Sequence, residues 1–227
     1  MSFGEEQLEA EDRRVVADYW FSRAQGEMTS WVGFQHVLAD LKAEASPAAV
    51  VELAERAVVD EYRHSEWCNE WARRYGHHGA AVKPRALRAI EFPGATPEEN
   101  RLLRIALCCF TESVGCFTLR LSRERLVDVG LRKQNQVHLS DELRHSRVGW
   151  AHLSTLDERK RELVARFLPV LDRALRIACC EGTELDREEL VAHGYFTPRL
   201  LREAYEGAMT EVIVPGLRHL KIAGAAS

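Results

Sequence analysis

The sequence predicts an all-α protein, and three observations support that prediction. Ala, Leu, Arg and Glu, which favour helices, dominate the long segments of the 227-residue chain. The alternation of apolar and polar residues that is typical of β-strands is scarce. Helix-breaking residues are concentrated, with three prolines and three glycines between residues 76 and 100. The chain should therefore consist of long helices separated by a few well-marked connections.

Start and stop signals divide the chain into helices. Ser46 is expected to cap the second helix and Thr96 the third, each ahead of a proline that opens the helix. Pro169 and Pro215 fall inside later helices and should kink them. In chain order, the predicted helices span about Glu11–Glu44, Pro47–Tyr75, Pro97–Val127, Leu131–Leu156, Asp157–Cys180, a short one near Asp186–His193, and Thr197–Ala223.

The connections suggest how the first four helices are arranged. The segment after Tyr75 is too long for a tight helical hairpin and is expected to cross over along the bundle. The order of hairpin, long crossover and hairpin is that of a ferritin-like four-helix bundle. We therefore expect a single domain over residues 1–227, with a four-helix core at about 11–156 and additional C-terminal helices at about 157–223.

Composition narrows the classes of function. Hydrophobic residues make up 46% and charged residues 29% of the chain, and the formal charge of −4 gives no reason to expect a nucleic-acid partner. The N-terminal segment MSFGEEQLEAEDRR is acidic where a signal peptide is basic and then apolar. No apolar run approaches the roughly 20 residues of a membrane span. The expectation is a cytoplasmic protein that does not bind membranes.

A five-residue motif, Asp-Glu-x-Arg-His, occurs twice, beginning at Asp60 and again 81 residues later at Asp141. Residues three apart lie on one face of a helix, so each copy presents a carboxylate and an imidazole to the same point. This is how a helix holds a metal ion. The motif indicates the ligand pairs Glu61/His64 on the second helix and Glu142/His145 on the fourth.

A two-metal site of this kind also needs a Glu from each of the other two helices. Glu27 lies 19 residues before Ser46 and Glu61 lies 15 residues after it, so both are at similar depth. Glu44 and Glu52 are competitors for the role of Glu27, but both are too near the turn. Glu112 is the one acidic residue between Asn100 and Arg123, in an apolar run where an unpaired carboxylate would cost several kcal/mol.

Two divalent ions would compensate the four carboxylates, and mixed oxygen and imidazole ligands suit iron or manganese. A ligand His usually donates its other ring N–H to a carboxylate. Asp60 and Asp141 could each serve the histidine of the opposite helix, with Arg63 and Arg144 neutralising them. The expected cofactors are two Fe ions, with Mn or a mixed Fe/Mn pair as alternatives.

The ligand set resembles that of the ferritin-like diiron-carboxylate proteins, and the doubled motif is similar to the form found in bacterial multicomponent monooxygenases. His138, one turn before Glu142, adds a third imidazole, as in the p-aminobenzoate N-oxygenase family of diiron arylamine N-oxygenases. From the residues alone, His138 could equally be a packed histidine beside the ligands. The resemblance implies the metal-binding and catalytic set Glu27, Glu61, His64, Glu112, His138, Glu142 and His145.

The resemblance implies an oxygenase or oxidase that uses O₂ as co-substrate, possibly N-oxygenating an amine. Its partners would be a small-molecule substrate and an electron donor, a reductase or ferredoxin, and a homodimer is compatible with it. The alternative is an iron-oxidising or peroxide-reducing protein like ferritin or rubrerythrin, although the two CxxC pairs of a rubredoxin-like module are missing. A third hypothesis is a helical interaction protein with a structural metal.

Cysteines and aromatic residues near the expected ligands could either line a pocket or pack in the core. Cys109 and Cys116 flank Glu112 and could shape a pocket, but buried cysteines are more often small packing residues. The six cysteines lack the spacing of a zinc site or a disulfide framework and are expected to be reduced. Aromatic residues near the ligand faces could line a substrate cavity or simply belong to the core: Trp20, Trp31, Phe34 and Trp67.

Overall fold

A computed structural model describes residues 8–180 and 186–222. Within these ranges the prediction of an all-helical protein is confirmed, and there is no β-strand. The helices are α1 (Ala10–Ala43), α2 (Ala48–Arg74), α3 (Pro97–Arg123), α4 (Val129–Ser154), α5 (Glu158–Cys180), α6 (Pro198–Ala208) and α7 (Val214–His219). A 3₁₀ turn (Glu188–His193) precedes α6, and a π turn (Met209–Ile213) joins α6 to α7.

Two helical hairpins, α1 with α2 and α3 with α4, form a bundle in which α2 also packs on α4 and α1 on α3. The first hairpin turns at Ala45, which takes a left-handed conformation with φ of 51°, and Ser46 N donates to Leu41 O. The start of α3 at Thr96 is as predicted, and there Thr96 and Glu99 form a capping box. Asp128 caps α4 by accepting a hydrogen bond from Leu131 N.

The α3 helix is covered on two sides, because α5 and α6 pack against the face that the first hairpin leaves open. It is the one helix in the described ranges that is long and apolar enough to cross a membrane, which the sequence alone did not lead us to expect. However, 83% of its most apolar window is buried inside the protein. This is compatible with the core helix of a soluble protein.

The α3 and α4 helices approach each other closely at Gly149. A Cβ atom there would lie 2.4 Å from the Cβ of Cys109 and 2.7 Å from the backbone oxygen of Ile105. Such distances are far inside van der Waals contact, so only glycine fits without moving α3. This contact fixes the position of α4 along α3 one turn after His145 and two turns after Glu142.

Two local predictions were wrong in detail. Ser46 does not cap α2, because its hydroxyl shares a 2.8 Å hydrogen bond with His152 Nδ1 and Pro47 occupies the cap position. The predicted helix from Thr197 is interrupted by the π turn just before Pro215, which has no N–H to continue the α-helical pattern. Its predicted end, Ala223, lies outside the described residues. Pro169 lies inside α5, which continues through it.

Candidate metal centre

The seven predicted ligands lie together at mid-height in the bundle. The α1 helix contributes Glu27, α3 contributes Glu112, and the ligand pairs of the repeated motif come from α2 and α4, with His138 one turn earlier on α4. Six of the seven are less than 9% exposed, and the side chain of Glu27 is 15% exposed. The helix phases inferred from the sequence thus bring all seven side chains to one place.

The donor atoms form two groups in which all atoms lie within 4.8 Å of one another. Glu142 belongs to both groups. The first group is Glu27, His64, His138 and Glu142, and the second is Glu61, Glu112, Glu142 and His145. A buried cluster of carboxylates and imidazoles with this spacing could bind metal ions.

Two carboxylates face both motif histidines. Glu61 Oε1 is 2.9 Å from His145 Nδ1, and Glu61 Oε2 is 3.9 Å from His64 Nδ1. Glu142 Oε1 is 3.5 Å from His64 Nδ1, and Glu142 Oε2 is 3.7 Å from His145 Nδ1. Each of these carboxylates therefore directs one oxygen to each half of the cluster, which is the geometry of a carboxylate that bridges two ions.

His138 gives the first group of donor atoms one more imidazole than the second. Its Nε2 atom is 3.0 Å from Glu142 Oε1 and 3.7 Å from Glu27 Oε1, and its ring lies 3.8 Å from that of His64. The first group therefore has two imidazoles and the second has one. This position is compatible with the ligand role and equally with a histidine that supports the ligands by a hydrogen bond to Glu142.

The Asp and Arg residues of the motif form the predicted network behind the histidines. His64 Nε2 lies 3.0 Å from Asp141 Oδ2, and His145 Nε2 lies 3.4 Å from Asp60 Oδ2. Arg63 Nη2 donates to Asp60 at 2.7 Å and to Asp141 at 2.8 Å. Arg144 also contacts both aspartates. Because each aspartate engages Nε2 of the opposite histidine, both imidazoles present Nδ1 to the cluster.

Burial and the repulsion between neighbouring charges shift the pKa values of the carboxylates in the cluster. Burial, together with the charge of Glu61, raises the pKa of Glu27 to about 8. Burial also raises the pKa of Glu112 well above its usual range. Burial opposes ionisation of Glu142 too, but hydrogen bonds from Glu112 and His138 outweigh it and hold the pKa of Glu142 well below the usual value. In the absence of cations the carboxylates thus share protons.

The pKa values of two histidines in the cluster also shift in opposite directions. Burial disfavours the charged form of His64, but its hydrogen bond to Asp141 and the nearby negative charges of Glu61 and Glu142 prevail and raise the pKa of His64 to about 10. Burial and the neighbouring His64 lower the pKa of His138 to about 4. Metal ions would take the place of the protons that compensate the carboxylates, since ligands must be deprotonated to bind.

Three buried atoms support the fit of a metal pair to these residues. Glu61 Oε2, His64 Nδ1 and His145 Nδ1 have no hydrogen-bond partner among the described residues. Leaving such atoms unsatisfied costs about 1–3 kcal/mol each, and more when they are charged. All three point into the cluster, so cations at its centre would satisfy them together.

A cavity of roughly 600 Å³ opens directly on the cluster. Its wall is mainly apolar and lies between α1 and α3. Five of the seven predicted ligands line it, whereas His64 and His145 are 0% and 1% exposed and lie behind them. The five are Glu27, Glu61, Glu112, His138 and Glu142. Coordination positions on this side would therefore face a space large enough for an organic molecule.

The pocket residues differ in part from those considered in the sequence. Phe34 lines the cavity, but Trp31 and Trp67 do not, and Trp20 borders a separate, water-sized space. Among the cysteines, Cys108 and Cys179 face the cavity in place of Cys109 and Cys116. None of the six cysteines, all of which lie in the described ranges, forms a disulfide bond. His152 is buried and bonded to Ser46.

Sequence reasoning missed the residues that create the space, Gly26 and Gly33 on α1, and the basic residue at its rim, Arg88. The two glycines are seven residues apart and so fall on one helix face, a signal that was present in the sequence. No family model, curated protein or solved structure matches the chain.

Proposed function

We propose that this protein is an O₂-activating non-haem diiron oxygenase or oxidase with a ferritin-like core, acting on a small organic substrate. The observation that carries the proposal is the junction of the Glu/His cluster with the 600 Å³ cavity. A purely structural metal would not need five of its ligands to face such a space. The apolar wall also favours an organic substrate over the passage of hydrated iron ions, so the iron-handling alternative is less well supported.

The residues have distinct roles in this proposal. Glu27 and Glu112 would each help to hold metal in one of the two groups, Glu61 and Glu142 would contribute carboxylate oxygens to both halves of the cluster, and the histidines would bind through the ring nitrogens that face it. Iron held there supplies the redox chemistry that reduces O₂ and oxidises the substrate, with electrons from a reductase or ferredoxin. Asp60 and Asp141 keep the imidazoles in one tautomer and orientation.

The cavity wall has its own role, because apolar side chains around the ligands keep bulk water from the reacting atoms. The third imidazole, His138, favours N-oxygenation of an amine as the specific reaction. The resemblance of the ligand set to the arylamine N-oxygenases supports this finer proposal.

The test is reconstitution with Fe(II) under anaerobic conditions, followed by O₂, a chemical reductant and a panel of amines. Optical and Mössbauer spectroscopy would count and characterise the iron, and mass spectrometry with ¹⁸O₂ would detect oxygen in the product. We expect two iron ions per chain and ¹⁸O incorporation into a substrate. Rapid iron oxidation that deposits a ferric mineral, without any substrate product, would instead identify an iron-handling protein.

A further inference from the structure

The cavity extends along the bundle axis and continues past the cluster in both directions. Its lining residues run from Arg23 to Val37 on α1 and from Arg104 to Leu119 on α3. At 1.5 Å per residue, each stretch is roughly 20 Å long. The cluster lies part-way along it, since Glu112 is eight residues from Arg104 and seven from Leu119. A compact molecule beside the metals would leave most of this length empty.

Small residues on the facing helices create the space. Gly26 and Gly33 on α1 line the cavity, and a Cβ added at either position would meet no atom within 4 Å. Across the gap, α3 presents Thr111, Gly115 and Thr118 at helical spacing.

The rim at the Arg104 end is formed by the crossover segment, which is fastened at two points. The His36 imidazole is hydrogen-bonded to Leu87 O at 3.1 Å, and Arg104 Nη1 donates to Ile90 O at 3.0 Å. The guanidinium of Arg104 is otherwise engaged by Asp40, at 2.7 and 2.8 Å. The rim therefore has a defined position relative to α1 and α3.

Arg88 lies between the two fastened points and differs from the other arginines of the cavity. It is exposed and has no acidic partner among the described residues. By contrast, Arg104 is neutralised by Asp40, and Arg23 lies 3.7 Å from Glu27 and over the rings of Trp20 and Phe196. The rim thus offers one uncompensated positive charge above an apolar passage.

We infer that the cavity binds a linear amphipathic molecule, an unbranched aliphatic chain with a carboxylate head. The head pairs with Arg88 at the rim, and the chain runs between α1 and α3 past the cluster. This assignment rests on the proposed diiron function only for what happens to the chain. It competes with the finer proposal of N-oxygenation, because the atoms that it places over the cluster are carbon atoms of the chain and not an amine nitrogen. By helix rise, the atoms over the metals would lie roughly 12–15 Å from the Arg104 end, so oxidation would occur far from the carboxylate.

Direct binding to the metal-free protein tests the inference without any turnover. Isothermal titration with sodium dodecanoate, at concentrations below micelle formation, should give one site per chain. Hexanoate should bind more than ~100-fold less tightly, because each buried methylene group contributes to affinity. Equal affinity for the two acids, or binding of many dodecanoate molecules per chain, would overturn the inference.

Two matched pairs of variants locate the site. Gly33→Leu places a side chain in the passage at a position where a Cβ would meet no atom within 4 Å, and it should weaken dodecanoate binding at least ~10-fold. Gln25→Leu places the same side chain on the exposed face of α1 and should not weaken it. Arg88→Glu should weaken dodecanoate at least ~10-fold but leave dodecan-1-ol unchanged. Arg85→Glu, on the same segment and outside the cavity lining, controls for overall charge.

Circular dichroism of each variant checks that the helices are retained. If Gly33→Leu and Arg88→Glu bind dodecanoate as the parent does, the cavity assignment is wrong. Metal content measured on the same samples is independent of this outcome. Two ions per chain without dodecanoate binding would overturn the inference and leave the proposed function standing. Dodecanoate binding by a protein that takes up no metal would support the inference and contradict the proposed function.

Discussion

His64 Nε2 lies 3.0 Å from Asp141 Oδ2, and these residues are 77 positions apart on neighbouring helices. An equivalent contact of 3.4 Å joins His145 Nε2 to Asp60 Oδ2. Burial opposes ionisation of Asp141, yet the hydrogen bond from His64 and the surrounding charges lower the pKa of Asp141 to about 2. A permanently ionised carboxylate behind each imidazole orients the ring and leaves Nδ1 free to face the cluster.

Asp141→Asn should weaken metal binding by about 10–100-fold, because the amide no longer orients His64 or increases its basicity. Asp60→Asn should act similarly through His145. Competition with a fluorescent chelator measures the change, and Ser140→Ala on the same helix is the control. Unchanged affinity in both Asp variants would mean that the histidines bind no metal.

Glu112→Ala should reduce the metal content from about two ions per chain to about one, because it removes a buried ligand that only the second group contains. The measurement is elemental analysis after anaerobic loading and gel filtration. Glu98→Ala, on the exposed side of the same helix, should retain both ions. Two tightly bound ions in Glu112→Ala would exclude Glu112 as a ligand.

His138→Ala should retain two ions but lose the difference between them, since His138 gives the first group its second imidazole. Mössbauer spectra of the iron-loaded parent should resolve two unequal sites, and the variant should show more similar ones. Identical spectra for parent and variant would place His138 outside the coordination sphere. The N-oxygenation proposal would then lose its support, whereas the diiron proposal would not.

Metal loading should raise the melting temperature, because ions that bind only the folded chain stabilise it by mass action. At a free metal concentration 100 times the dissociation constant, the gain is about 2.7 kcal/mol. For a chain of this size that corresponds to roughly 5–10 °C. Differential scanning calorimetry with Mn(II), and again after chelator addition, measures it; a melting temperature insensitive to both additions would contradict a buried metal site.

His152 should make the protein less stable in mild acid. Burial lowers the pKa of His152, so below about pH 6.5 the unfolded chain takes up a proton more readily than the folded one. The free energy of unfolding should therefore fall as the pH drops from 6.5, and His152→Gln should flatten this dependence. Urea titrations at several pH values test this, with His219→Gln at an exposed position as the control. An equal slope in both variants would contradict it.

The meeting of the two Glu/His pairs could be predicted because both partners of each pair lie on one helix at fixed spacing. The place of Glu112 in the cluster could be predicted because it is the one carboxylate in an apolar run. The contacts of Asp60 and Asp141 with the histidine of the opposite helix could be predicted because a metal-binding histidine usually donates its other N–H to a carboxylate. Each of these inferences needs only helix geometry and the high cost of burying charge.

Other features depend on contacts that no local pattern records. The hydroxyl of Ser46 could cap α2 but bonds with His152, 106 residues away. The cavity arises from the absence of side chains at Gly26 and Gly33 and from the distance between α1 and α3. That distance could not be predicted from the sequence. Its rim comes from the crossover near Arg88, where the chain has no periodicity to interpret.

Two glycines of the bundle have opposite consequences for how this protein can evolve. Gly149 leaves no room for even a methyl group against Cys109, so variation there disturbs the fold itself. At Gly33, by contrast, an added Cβ would meet no atom within 4 Å, so a side chain can begin there without an immediate clash. Relatives with different residues at positions 26 and 33 could therefore keep the same cluster while selecting substrates of different length.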